Sequence, residues 1–238
     1  MNTAKEPILS LVIPCLNESK GLNNLLSVLP KNIDEIIVVD NGSTDNTIEI
    51  AKKHRIKAIS EPKLGYGNAI FSGLKESKGK IIIIIDGDNS YSLKNINDIY
   101  SYMQKNEIDF ISGCRLPLKN LKAMSFLNLI GNYIISFFIR LIFKISIKDS
   151  QSGMMIFKKR VLDKIRMESK GMNFSQELKI KAWIEPTIRC AELTIDYNIR
   201  EGNTKFRKIN DCILNLYSIF SLKLKTCLLN HEKSNSII

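Results

Sequence analysis

Ile81-Ile82-Ile83-Ile84-Ile85 runs directly into Asp86-Gly87-Asp88. Five β-branched residues with no polar alternation predict a strand buried on both faces, as at the centre of a parallel sheet. In open α/β sheets ligands bind beyond the carboxyl ends of such strands, where Asp86 and Asp88 can both turn toward one ligand. One or two carboxylates completed by substrate phosphates are a usual seat for Mg²⁺. Asp-Gly is also a common turn dipeptide, so the junction reads either as a metal site or as a turn. A calcium loop fits less well. Tyr91 stands where that loop needs glycine, and Asn97 where it needs a bidentate glutamate.

Outward from this strand the chain alternates between strand and helix. Strands are predicted over 8–13, 33–39 and 56–59, with helices over 18–28, 45–53 and 68–77. After the aspartates come a helix over 93–104 and a strand over 108–112. This order predicts βαβ units and a mainly parallel sheet flanked by helices. Beyond Gly113 the pattern is mixed: a long apolar segment, a strand over 154–158, and helices over 159–166 and 176–183. A strand over 193–199 and a helix from about residue 210 complete it. No linker rich in Pro, Gly or Ser interrupts the 238 residues, which therefore read as one domain over 1–238.

The net charge of +11 is uneven. Residues 1–140 hold 17 basic and 14 acidic side chains, and residues 141–238 hold 18 and 10. A basic C-terminal part suits a polyanion, an anionic membrane surface or a phosphorylated substrate. Cys15, Cys114, Cys190, Cys212 and Cys227 form no C-x-x-C pair, which argues against zinc and redox motifs and fits a reducing compartment. The first strand pattern begins by Ile8, so no signal peptide is expected. Residues 126–147 are rich in Phe, Ile and Leu but include Arg140 and Lys144. Spanning takes about 20 predominantly apolar residues. The two cations favour instead either an amphipathic helix in the membrane interface, with Lys119, Lys122, Arg140, Lys144 and Lys148 near headgroups, or a helix packed on the core. Residues 212–229 raise the same question with a weaker pattern.

Three polar segments fall at the carboxyl ends of successive predicted strands, and the fold would gather them at one edge. They are Pro14-Cys15-Leu16-Asn17-Glu18, then Val38-Val39-Asp40-Asn41-Gly42-Ser43-Thr44-Asp45, then Asp86-Gly87-Asp88. The first turn lacks the G-x-G-x-x-G of a dinucleotide fold, and Gly65-Tyr66-Gly67 is only a weak phosphate-loop signal. Asp45 reads as a helix-start residue or as a ligand.

Together these segments resemble the family 2 glycosyltransferases of the GT-A fold, from about Leu9 to Ser221. Narrower likeness to the dolichyl- and polyprenyl-phosphate hexose synthases lies in Gly65–Ala69, Ser112–Arg115, Gly131-Asn132, Asp149–Gly153, Gly171–Phe174 with Glu177, and Arg200–Lys205. The resemblance implies a Rossmann-like nucleotide-sugar half over 1–112 and an acceptor and membrane-facing half over 113–238. It implies an inverting transfer of glucose or mannose from a UDP- or GDP-sugar to a polyprenyl phosphate, with Mg²⁺ or Mn²⁺ held by Asp86 and Asp88. Pro14, Asn17, Glu18, Asp40, Asn41, Asp86 and Gly87 would bind the donor, with Arg200 and Lys205 offsetting diphosphate charge. Arg115 would hold the acceptor's phosphate. Asp88, Arg200 and Glu177 are the candidate catalytic residues, Glu177 as sugar-orienting group or as base for another acceptor. Ser90 replaces a glutamine often found after the second aspartate. Thr204 replaces a serine. His54 and His231 lie outside every motif.

Two other readings stand beside this one. A family 2 transferase acting on a sugar hydroxyl would need a carboxylate base. A basic nucleic-acid-binding protein would need an aromatic-interleaved basic patch or a known module, and neither is visible. The expected location is the cytoplasmic face of the membrane, as a peripheral protein.

Overall fold

The computed structural model describes residues 8–202 and 215–225. Seven strands form one sheet: β1 (Leu9–Cys15), β2 (Glu35–Asp40), β3 (Lys57–Ser60), β4 (Ile81–Ile84), β5 (Phe110–Cys114), β6 (Met155–Lys158) and β7 (Cys190–Thr194). Their order is β3-β2-β1-β4-β6-β5-β7. Neighbours pair in parallel except at β6, which is antiparallel to both β4 and β5. Helices α1 (Ser19–Ser27), α2 (Thr47–Lys53), α3 (Tyr66–Glu76), α4 (Ile96–Lys105), α5 (Phe126–Phe143), α6 (Val161–Lys164) and α7 (Phe174–Ile184) connect and flank the strands. Residues 215–225 form a further helical segment.

The isoleucine run is buried on both faces. Ile81, Ile83 and Ile85 join one core with Leu22, Leu25 and Met103, and Ile82 and Ile84 join the other with Ile70, Phe157 and Phe174. Each of the five is at most 3 % exposed. Period-2 alternation makes one uninterrupted apolar strand serve two cores. The strand ends at Ile84, and the Ile85 N–H still donates to the Val12 carbonyl at 3.4 Å, so the aspartates follow directly where the chain turns out of the sheet. The chain passes from β1 outward to β3 and then returns to β4 on the other side of β1. The switch point, where such sheets bind ligands, therefore lies between β1 and β4.

The largest displacement from the expected elements is in the last strand, which occupies Cys190–Thr194 rather than 193–199. β5 offers partners only from Phe110 to Cys114. Past Thr194 the chain leaves the sheet and crosses the loop after β4, through an isolated Tyr91–Tyr197 bridge and a bond from the Asn198 N–H to the Ser90 carbonyl.

Helix α5 begins with Ser125, whose hydroxyl accepts from the Asn128 N–H at 3.3 Å. It buries Asn132, Ile135, Ser136, Ile139 and Phe143 at helical spacing. Ile135, Ile139 and Phe143 form a third core with Ile180 of α7 and Ile219. The other face is apolar as well, and Phe126, Leu127, Tyr133, Phe137 and Leu141 are each at least half exposed. Helix α5 is long and apolar enough to cross a membrane by length and composition, with a mean hydropathy of 1.7.

Candidate active site

Register brings the three polar segments level. Cys15 pairs with Asp40, and Val12 with Ile84, so the chain leaves β1, β2 and β4 at one edge. Glycines let the loops touch there. A Cβ on Gly21 of α1 would lie 2.7 Å from the Asp88 Cα, and one on Gly87 would lie 2.5 Å from the Cys15 Sγ. Gly87 thus acts through close packing.

Asp86 is half-buried and accepts a hydrogen bond from the Tyr66 hydroxyl at 2.9 Å. A Cβ on Gly153 would stand 2.6 Å from its Oδ2, so a side chain there would displace this carboxylate. Burial, and then the charge of Asp88, raise the Asp86 pKa to about 6. Asp88 is buried, and its Oδ1 accepts from the Ser90 N–H at 3.0 Å and the Ser90 hydroxyl at 2.5 Å. Ser90, which stands in place of the glutamine often found after the second aspartate, orients Asp88.

Arg200 arrives from the far end of the chain. Its Nη2 donates to Glu18 Oε1 at 3.0 Å, and its Nε lies 3.5 Å from Asp88 Oδ2. The backbone beside it is pinned by the Glu201 N–H donating to the Asp88 carbonyl at 2.9 Å. The Glu201 carboxylate accepts from Asn24 and Asn89. One cation is thereby held between two candidate carboxylates that lie in different loops.

Arg115 closes the opposite side. Its Nε and Nη2 form a two-point clamp on Asp149 at 2.7 and 2.8 Å, and its backbone N–H donates to the same carboxylate at 2.9 Å. The guanidinium stacks over Tyr197, 5.2 Å from the ring centre. Asp149 is fully buried and also accepts from Asn132. Although burial opposes ionisation, the Arg115 charge and hydrogen bonds hold its pKa at about 2.

Asp86, Asp88, Arg115 and Arg200 share one cleft of about 610 Å³, whose outer wall includes Leu127, Met172 and Leu216. Glu18 and Asn17 line a neighbouring cleft with Gly21, Asp45 and Gly202. Among the described residues no cluster of three or more His, Cys, Asp or Glu is arranged to hold a metal. A divalent ion here would rest on Asp86 and Asp88 and complete its shell from phosphate oxygens, the usual arrangement for Mg²⁺. The raised Asp86 pKa fits such a site, because a bound cation would relieve the repulsion between the two carboxylates.

Several expected site residues are held differently. The Asn41 side chain, expected at the donor, donates to the carbonyls of Glu61 and Lys63 and accepts from the Gly65 N–H, all within 2.9 Å. Its amide closes the loop before α3. Glu177, expected as a catalytic carboxylate, accepts from the Glu168 and Ser169 N–H groups at 3.1 and 2.7 Å and pairs with Lys181 at 2.6 Å. It lines a second cleft that lacks Asp86 and Asp88 but shares Met172, Gln176 and Asn215 with the main one. Asp45 accepts from the N–H groups of Ser19 and Thr47, tying the starts of α1 and α2 together. Asp40 is buried and receives the Gly42 and Ser43 N–H groups at 3.3 Å. Asn17 has a φ of 52° and accepts from the Thr44 N–H at 2.7 Å, while Pro14 is buried within β1 opposite Val39. The start of α3 is covered by the Lys170 carbonyl, which accepts from the Asn68 N–H, so Gly65-Tyr66-Gly67 is no open phosphate cradle. Lys205 lies outside the described residues. Tyr66 and Gly153, on either side of Asp86, went unassigned in the sequence, although both sit inside segments that carry the family resemblance.

A family model described as glycosyl transferase family 2 matches residues 10–166. The chain belongs to that family. This family 2 glycosyltransferase is 27 % identical over 197 residues to an uncharacterized glycosyltransferase of Mycobacterium bovis, covering 81 % of this chain and 86 % of the relative. It is 26 % identical over 235 residues to the dodecaprenyl-phosphate galacturonate synthase of Rhizobium johnstonii, covering 87 % and 67 %. Its fold is that of glucosyl-3-phosphoglycerate synthase from Mycobacterium tuberculosis, crystallised with Mn²⁺, UDP-glucose and phosphoglyceric acid. That likeness has a TM-score of 0.68 at 18 % identity and covers 90 % of this chain and 79 % of the other. The seven-stranded, mainly parallel sheet flanked by helices is thus the GT-A architecture.

Proposed function

We propose that this glycosyltransferase moves a hexose, with inversion, from a UDP- or GDP-sugar to a polyprenyl phosphate at a membrane surface. The observation that carries this reading is the cleft. It brings two carboxylates, half-buried Asp86 and buried Asp88, and two arginines together with the apolar side chains of Leu127, Met172 and Leu216 in one lining. A donor diphosphate and an acceptor phosphate suit the charged groups, and an isoprenoid chain suits the apolar ones. The likeness to a dodecaprenyl-phosphate galacturonate synthase supports the same acceptor class.

Asp86 and Asp88 would hold Mg²⁺ or Mn²⁺, which when bound would supply Lewis-acid stabilisation of the departing diphosphate. Arg200 adds fixed positive charge at the same place, where charge grows during transfer. Arg115, oriented by Asp149, offers a cation to the acceptor's phosphate. A phosphate is already anionic near neutral pH and attacks without a strong base, which suits a Glu177 committed to backbone N–H groups and Lys181. Glu177→Gln is therefore expected to lower kcat by less than about tenfold, whereas a hydroxyl acceptor relying on this base predicts a loss of about 10²–10⁴-fold.

The exposed face of α5 would lie on the bilayer. Lys122, Lys144 and Lys148 are exposed at its two ends, where cations meet anionic headgroups. Replacing both Phe137 and Leu141 by Asp should weaken binding to vesicles containing anionic lipid at least about tenfold, with UDP binding retained; unchanged co-sedimentation would refute this placement. The activity itself is tested by incubating the enzyme with labelled UDP- or GDP-hexoses, polyprenyl phosphate and Mn²⁺. Labelled lipid is the expected product, and its absence with every donor would overturn the proposal.

A further inference from the structure

Lys179, in the middle of α7, is fully buried, a place lysine almost never takes unless paired. Its ammonium donates to the carbonyl oxygens of Asp149 at 3.3 Å, Ser150 at 3.3 Å and Ser152 at 2.6 Å. Three donors thus meet three acceptors of a single loop. Nothing in the helix itself calls for a cation, since Leu178, Ile180 and Ala182 beside it are apolar core.

The loop that Lys179 grips carries much of the site. Asp149, at its start, fixes the Arg115 guanidinium. Gly153, at its end, lies against the Asp86 carboxylate and donates its N–H to the Tyr91 hydroxyl at 2.6 Å. Removing the ammonium would leave three carbonyls of this loop without this donor, and a buried acceptor left unmatched is costly. The loop would then relax toward other donors, and both ends would move.

We propose that Lys179 is a positioning residue, which locks the 149–153 loop so that Arg115 receives an anionic acceptor group in one fixed geometry. The inference rests on the acceptor reading given above for what Arg115 binds, but the mechanical link from Lys179 to Arg115 is independent of it.

Lys179→Met tests the link. The Arg115 Nε–H, bonded to Asp149 at 2.7 Å, is followed by ¹⁵N NMR hydrogen exchange in the full chain. In a variant that keeps its circular dichroism, this proton should exchange at least about tenfold faster. KM for farnesyl phosphate should rise at least about tenfold, while KM for the nucleotide sugar changes by less than about twofold. Lys179→Gln, which keeps two amide donors, is read in the same way should the Met variant not fold, and it should show a smaller change. Unchanged exchange in either folded variant would overturn the proposal. Failure of the wild-type enzyme to use farnesyl phosphate would count against the acceptor reading, and the exchange rates would still decide the role of Lys179.

Discussion

Asp88→Asn is expected to lower turnover by about 10²–10³-fold and to abolish the Mn²⁺-dependent gain in UDP affinity. The substitution is nearly isosteric, and the amide oxygen can keep both bonds from Ser90. The backbone bond from Glu201 to the Asp88 carbonyl is untouched. What disappears is one negative charge facing Arg200, and with it a carboxylate able to bind a divalent ion. An amide nitrogen turned toward Arg200 would face a second donor across 3.5 Å, so the arginine would lean more fully on Glu18. The loss therefore belongs to the transition state, where diphosphate charge must be met by preorganised positive groups. Single-turnover rates with labelled donor, and calorimetric titration of UDP with and without Mn²⁺, check both halves. Wild-type turnover in the variant would remove Asp88 from the chemistry.

Asp149→Asn should destabilise the fold by about 3–5 kcal/mol, the range for breaking a buried ion pair from one side. Asp149 accepts from the Arg115 side chain twice, from the Arg115 backbone and from Asn132, with Lys179 close by. One amide oxygen cannot replace two carboxylate oxygens, and the amide nitrogen adds a donor where donors already crowd. Two buried cations would lose their counter-charge. At roughly 2–4 °C per kcal/mol for a domain of this size, the midpoint of thermal unfolding should fall by about 10 °C. The pH dependence has a definite sign. The folded pKa of about 2 lies below the ordinary 3.8, so the stabilisation is complete above about pH 4 and is lost as the pH falls toward 2. The Asn variant should lack this part of the acid-unfolding profile. A midpoint within about 2 °C of wild type would refute the assignment.

Much of the fold was legible because apolar burial leaves a local signature. Ile81–Ile85 has no polar alternation, and the strand it forms feeds two cores. The strand-helix order before Gly113 specified parallel pairing and a common edge for Glu18, Asp40, Asp86 and Asp88. β6 was legible as a strand but not in its direction, because an antiparallel insertion between β4 and β5 leaves no trace in residue spacing. The same limit holds for the last strand, whose end depended on how many partners β5 could offer.

Polar groups were legible in kind and often not in use. Asn41 and Glu177 carry the chemistry expected of donor and catalytic residues, yet their hydrogen-bonding capacity is taken up by backbone groups 20 residues and 8 residues away in sequence. Arg200 meets Glu18 across 182 residues, and Lys179 reaches the 149–152 carbonyls across about thirty. The residue types and their order determined the family, the sheet and the pair of aspartates at its edge, since burial and motif spacing act over short stretches of chain. Three-dimensional contacts decided which polar atoms remain available for a ligand, because a buried donor or acceptor must be matched by whatever group the fold brings beside it.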